Sequence, residues 1–456
     1  MYTKVIILYL VEKARDYRER QVLMRRLLKG FNYRLYIALL VLGFIPTIYT
    51  TVRVFFLGQL PGEWAFSIAG QLSWVNLFYE ILNESIILPL FYFVGKVKAD
   101  KEAFSNRVRT GLLLSFGLYA LLSVIIITLT EPMLKYMAVD QSIVVASAKY
   151  IRIESVANVL ALLMQFILVI LVTIDKSRYL YFITGARLVL CLIVDTFLVS
   201  SLPISANLGV NGIGYSNIIV NVFLLLVAFG LLAREQIYIW PNNKLDFIWL
   251  KELARVGGVS GLESLVRNVA YMVMISRMVN VVGEQGTYWV ANNFIWGWLL
   301  LPVIQLGELI KQEIAEDKRN IHRNSRSYFG ITGLIVLLWF MSVPMWKPFM
   351  VSVLEVGEAE KVFGLVLILI GFYVFYAFQN VFDATFYGLG KTKYMLFESI
   401  VTNFIYYGIA FVLYVMNVWS PSLIGIALLF GFGNVFDSVV SFGAYVYMLK
   451  KEKIRI

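Results

Sequence analysis

One cysteine, Cys191, and one histidine, His322, are all that 456 residues hold of each type. That excludes an intrachain disulfide and any metal site built on Cys and His. Charge is scarce as well. Charged residues make up 15% of the chain, where a soluble domain has about 25%. No cleavable signal peptide is legible. The opening "MYTKVIILYL" is apolar but short, and "VEKARDYRERQVLMRRLLKG" follows with no small-residue cleavage site. The apolar runs are continuous and do not alternate with period two, which argues against a transmembrane β-barrel.

What is present is apolar. Hydrophobic residues reach 60%, and the mean hydropathy is +0.76. Stretches of about 20 residues recur, each long enough to cross about 30 Å of hydrocarbon. The expected fold is an all-α polytopic membrane protein with twelve spans: 33–57, 64–95, 107–129, 145–172, 178–200, 209–234, 247–281, 286–316, 326–346, 360–389, 392–416 and 420–449. Residues 1–32 read as a basic amphipathic segment on the cytoplasmic surface.

Lys and Arg set the orientation. With both termini in the cytoplasm, the cytoplasmic segments carry 31 of the 40 basic residues, and the external loops carry only Lys135, Lys347 and Lys361. The net charge of +11 is this inside bias, so no nucleic-acid partner is expected.

The chain repeats itself. "DKSRYLYF" (175–182) lies between spans 4 and 5, and "GKTKYMLF" (390–397) lies between spans 10 and 11. "LGVNGIG" (208–214) opens span 6, and "LIGIALL" (423–429) opens span 12. Six spans followed by six in the same orientation imply two pseudo-symmetric lobes about a central cavity: 33–234 and 247–456, joined by a cytoplasmic linker at 235–246. Transporters are often built this way, with the substrate held between lobes.

Several ordered segments are similar to the multidrug and toxic compound extrusion (MATE) transporters: "VRVFFLGQL" ending span 1, "VLCLIVDTFLV" in span 5, "LGVNGIGYSNII" opening span 6, "VGGVSGLESLVRN" opening span 7, and "FYGLGKTKYM" joining spans 10 and 11. The resemblance implies alternating-access export of small organic compounds, often cationic, against entry of protons or sodium. It implies no cofactor beyond that transported ion, no enzyme activity, a monomer, and a multi-pass place in the prokaryotic plasma (inner) membrane. Lipid-linked oligosaccharide flippases share the superfamily and are the alternative reading. Two positions depart from the family. Arg53 stands where span 1 usually has Asp, and Cys191 stands where span 5 usually has Asn. Asp195 itself matches. With two expected sodium ligands absent, protons are expected to matter more than sodium.

Ionisable side chains in hydrocarbon are costly and default to a functional reading. Arg53 can reach Asp195 if the lobe packs as in the family, either as a tethered cation or as a structural salt bridge. Arg187 lies eight residues before Asp195, nearly on the same helical face. In "YEILNES", Glu80 and Glu84 sit one turn apart, suited to a proton relay or to a wetted, unpaired face. Glu308 takes the corresponding point of span 8, with Lys311 within a turn. In "GLESLVRN", Glu263 and Arg267 are spaced i, i+4, so Glu263 is either the carboxylate of the second lobe or half of a local ion pair. The family's acidic position on this helix falls at Asn268. Gln379, Asn380 and Asp383 on span 10, Glu398 on span 11 and Asp437 on span 12 suggest a polar cavity of negative potential. One histidine, one cysteine and no catalytic motif argue against a membrane-embedded enzyme. Unpaired cavity arginines among Arg53, Arg187, Arg267 and Arg277 would instead suit a pyrophosphate-bearing lipid.

Overall fold

A computed structural model describes residues 31–60, 64–237 and 245–454. The basic segment read at 1–32 therefore lies outside the described residues except for its last two. All regular structure among the described residues is helical. In hydrocarbon each helix satisfies its own backbone, which is why long Leu, Ile and Val runs take this form.

In chain order the helices are α1 (Tyr33–Gly58), α2 (Ala65–Gly95), α3 (Lys101–Tyr136), α4 (Val144–Thr173), α5 (Arg178–Leu198) and α6 (Val210–Arg234). The second half has α7, which runs from Leu250–Tyr271 through Met272–Ser276 to Arg277–Val281. It continues with α8 (Gln285–Leu299 and Leu301–Glu316), α9 (Asn320–Ser352), α10 (Ala359–Gly388), α11 (Lys393–Val415) and α12 (Leu423–Lys451). Side-chain caps fix three starts: Asn32 accepts from the Leu35 amide, Asp100 from Glu102 and Ala103, and Ser422 from Gly425.

Ten of these helices are long and apolar enough to cross a membrane, and α8 makes eleven if its two pieces count as one span. The expected twelve is not reached by this measure. The shortfall is α7, a helix that carries Lys251, Glu252, Arg255, Glu263 and Arg267 among its residues. The two pieces of α8 meet at 51°, where a π turn at Ile295–Leu299 is followed at once by Pro302. Further π turns occur at Asn83–Ile87 in α2, Met272–Ser276 in α7 and Val401–Tyr407 in α11.

The internal repeat extends into backbone and ion pairs. Asp175 and Gly390, the first residues of the two repeated phrases, both adopt a left-handed conformation, with φ of 63° and 65°. Lys176 then reaches Glu235 at 2.9 Å, just beyond α6, and Lys391 reaches Glu452 at 2.7 Å, just beyond α12. Hydrogen bonds from Lys176 and then Tyr179 hold the Glu235 carboxyl below its usual range.

Each half has its own core. Trp74, Leu90, Phe166, Ile170 and Leu224 anchor the first, and Ile310, Tyr328, Val366, Tyr373 and Ala427 anchor the second. Helix α1 touches both. Its Tyr36 hydroxyl donates to the Pro302 carbonyl at 2.9 Å, and Tyr36 and Val54 belong to the second core. The halves meet on both sides of a central cavity. Near the start of α2 and the end of α7, Gln71 and Asn280 exchange amide hydrogen bonds of 2.8 and 3.2 Å. Near its own start, α7 lies against the π turn of α2 at Gly257 and Gly261. A Cβ on Gly257 would sit 1.8 Å from the Ser85 carbonyl oxygen, whereas one on Gly258 meets nothing within 4 Å.

Small residues let helix backbones approach in this way. Gly257→Ala is accordingly expected to cost about 1–3 kcal/mol, while Gly258→Ala costs nothing and gains up to about 1 kcal/mol from helix propensity. Thermal unfolding in detergent compares the two. Equal melting temperatures would contradict the close approach at Ser85.

Candidate functional site

Two polar regions occupy the apolar interior, and they differ in kind. The first lies within the first half. Arg53, near the end of α1, grips Asp195 of α5 with both arms of its fork: Nε to Oδ2 at 2.7 Å and Nη2 to Oδ1 at 3.2 Å. The same Nη2 donates to Asn217 Oδ1 at 2.8 Å, and Asn217 donates to both oxygens of Glu154 at 2.8 and 3.1 Å. The guanidinium carbon sits 5.2 Å from the Tyr49 ring centroid, a cation–π contact. Arg53 is 8% exposed and Asp195 is fully buried. A planar fork matched to a carboxylate is a strong pairing. It ties α1 to α5 and α6.

Arg187 does not join this pair. It donates to Asn221 at 2.8 Å, and Asn221 donates to the Ala157 carbonyl at 3.1 Å. Arg53, Asp195 and Arg187 also do not line the central cavity, which corrects their expected grouping with the substrate cavity residues. The reason is their facing: Asp195 and Arg187 of α5 turn toward partners on α1 and α6, and Arg53 of α1 turns toward α5 and α6. Glu154 and Asn217 were missed. An acid within span 4, in "YIRIES", falls under the same rule that singled out the others.

The second region is the central cavity, about 840 Å³, lined by both halves. Nine aromatic side chains face it, among them Trp289, Trp296, Trp298, Tyr376 and Tyr387. Seven carboxylate residues line it against two bases, Arg267 and Lys311. Three of the four π turns supply lining residues: Glu84, Trp296 to Trp298, and Thr402 with Asn403 and Tyr407. Such turns often mark functional sites.

At its centre Arg267 of α7 contacts three carboxylates: Glu84 at 2.9 Å and Glu80 at 3.1 Å from α2, and Glu263 at 3.2 Å on its own helix. The local Glu263–Arg267 pair exists, and it is one arm of a bridge between the halves. Glu84 is therefore not an unpaired, wetted group. Asn83 does not join them; it faces away and accepts a 3.2 Å hydrogen bond from Gln165. Glu308 pairs with Lys311 at 2.6 Å.

Toward α10, α11 and α12 the acids have no base. Gln379 donates its amide to Glu398 Oε1 at 2.6 Å and to Asp437 Oδ2 at 2.7 Å. Thr402 donates to Asp437 Oδ1 at 2.6 Å, and Ser441 donates to Asp383 at 2.9 Å. Glu398 is 5% exposed, and its Oε2 is buried without a hydrogen-bond partner. Among the described residues, no group of three or more His, Cys, Asp or Glu is placed to hold a metal ion.

This geometry sits in a known fold. Residues 97–197 match the MatE family model. Three similar solved structures agree with it. An inward-facing multidrug resistance MATE family transporter of the MOP superfamily is 16% identical, with 88% of this chain and 99% of that chain covered and a TM-score of 0.67. An outward-facing one is 16% identical, with 93% and 98% covered and a TM-score of 0.69. A MOP superfamily transporter from Pyrococcus furiosus, described as having a binding pocket of reverse polarity, is 17% identical, with 94% and 98% covered and a TM-score of 0.67. No curated protein matches the chain. The match to the MatE model thus covers residues 97–197, and the chain as a whole is similar in fold to the MATE transporters its segments resemble.

Asp195→Asn keeps the volume and removes the charge facing Arg53. Leaving a buried arginine unpaired costs about 3–5 kcal/mol. The variant is expected to melt well below the wild type, and Arg53→Met with Asp195→Leu should regain a large part of that loss. An Asp195→Asn protein as stable as the wild type would remove the anchoring role.

Proposed function

We propose that this protein exports amphipathic organic cations by alternating access, driven by proton entry. The carrying observation is the cavity between the halves, with seven carboxylate residues, two bases and nine aromatic rings on its wall. Negative potential attracts a cation, and aromatic faces hold it once it is desolvated. The likeness to transporters solved in inward-facing and outward-facing conformations supports alternating access on this fold. In this reading residues 33–234 and 247–456 are the moving lobes, 235–246 is the cytoplasmic linker, and α7 is a span whose polar face lines the cavity. The protein works as a monomer in a prokaryotic plasma membrane with both termini in the cytoplasm.

The coupling site we propose is Asp383, Glu398 and Asp437, together with Gln379. These acids are served by neutral donors, and the amide nitrogen of Gln379 lies between two of them. Sodium needs converging oxygen ligands. An amide donor in that place favours the proton, which a carboxylate takes up directly. The flippase reading loses its motive. Arg53 and Arg267 are paired to carboxylates, Arg187 donates to Asn221, and Arg277 donates to the Tyr136 carbonyl.

Proteoliposomes loaded with ethidium, under separately imposed proton and sodium gradients, test this. Export should follow the proton gradient, and Asp383→Asn, Glu398→Gln and Asp437→Asn should each lower it about tenfold or more. Export that requires sodium and ignores pH would overturn the coupling. Movement of a lipid-linked sugar without the dye would overturn the substrate class.

A further inference from the structure

Glu80, Glu84 and Glu263 form an anionic subsite between the halves, and one residue of the chain fills it. We propose that the Arg267 guanidinium is an internal stand-in for the transported cation, and that a planar amidinium or guanidinium compound enters by displacing it. The proposal rests on the exporter reading and names the group that its substrates present.

The chemistry of the subsite comes from its present occupant. Each nitrogen of the fork meets a different carboxylate, at 2.9, 3.1 and 3.2 Å. Such spacing suits a flat cation with several N–H donors and is poorly used by a quaternary ammonium or phosphonium, which has none. The contact is exchangeable. The Arg267 side chain is 42% exposed and that of Glu80 is 38% exposed, with Glu84 at 14% and Glu263 at 10%, whereas Arg53 and Asp195 stand at 10% and 0%. The Glu80 arm, open as it is, contributes little net stability, so an incoming cation can enter from that side. One acceptor is still unused, because Glu84 Oε2 is buried with no hydrogen-bond partner. Tyr376 and Tyr387 line the same cavity and offer faces for the aromatic part of such a ligand.

Displacement has a mechanical result. Arg267 belongs to α7, and Glu80 and Glu84 belong to α2, so the bridge spans the two halves. A ligand that takes over the carboxylates frees α7 from α2 in the same event. Binding and unlatching become one step, which gives the ligand the differential interaction that a change of state requires.

The test is equilibrium binding of the fluorescent diamidine diamidinophenylindole to the purified full-length protein in detergent, with tetraphenylphosphonium as the comparison cation that lacks donors. Arg267→Met removes the competitor and should tighten diamidine binding about tenfold or more. Adding Glu84→Gln to that variant should reverse most of the gain. Tetraphenylphosphonium should gain less than the diamidine. If Arg267→Met does not yield monodisperse protein, Arg267→Gln should tighten binding in the same direction by a smaller factor. Unchanged or weaker diamidine binding in a folded Arg267 variant overturns the proposal, as does a diamidine that binds no variant. A dye that binds as expected but is not carried in proteoliposomes defeats the exporter reading and leaves the subsite standing. A dye that is carried while Arg267→Met binds it no tighter defeats the subsite alone.

Discussion

An ionised group in hydrocarbon has no water to turn to, so it must find its counter-charge or hydrogen bonds within the protein. The interior of this chain is arranged around that demand. Arg53 recruits Asp195, Asn217 and, through the amide, Glu154, and in doing so fixes three helices relative to α1. Arg267 makes the same demand at the meeting of the halves, where it is answered from both sides. The acids on α10, α11 and α12 are answered by amides and hydroxyls alone. Each solution leaves a different capacity: a closed anchor, an exchangeable bridge and an acid cluster without a basic partner.

The two halves share a plan and diverge in use. Their corners are built alike, with a left-handed residue, a lysine and a glutamate just beyond the sixth helix of each half. Their interiors are not alike. The polar cluster of the first half is filled by its own arginine and lies off the cavity. The acids of the second half open onto it. A duplicated scaffold can therefore keep its packing while one copy gives up a binding role to become structure.

Much of this was legible in the sequence, for physical reasons. Helix ends followed from where Lys and Arg stop and apolar runs begin, and the spans at 145–172 and 360–389 fall within a residue of α4 and α10. Asp195, Glu263, Glu84, Asp383, Gln379 and Glu398 stood out because ionisable and amide groups are rare in such runs. What the sequence could not supply was partnership. Glu84 and Arg267 are 183 positions apart, and only the docking of α7 on α2 brings them together. Glu154 was overlooked although it sits mid-span. Arg187 was placed beside Asp195 by helical spacing, yet packing gave it Asn221. The π turns are invisible to periodicity, because each is a single-residue offset that hydrophobic patterns absorb.

That offset has its own consequence at Asn83–Ile87. One residue is about 100° of helical rotation. With the extra residue, Glu80 and Glu84 face the cavity while Ser85 lies against Gly257 and Leu90 points into the first core. An ideal α-helix of the same length would turn the last two turns of α2 by that angle relative to its acids. The π turn absorbs the extra residue, so the acids and the core residues keep their separate facings. A change that lost the π turn without losing a residue would alter which side chains meet the cavity without altering any of them.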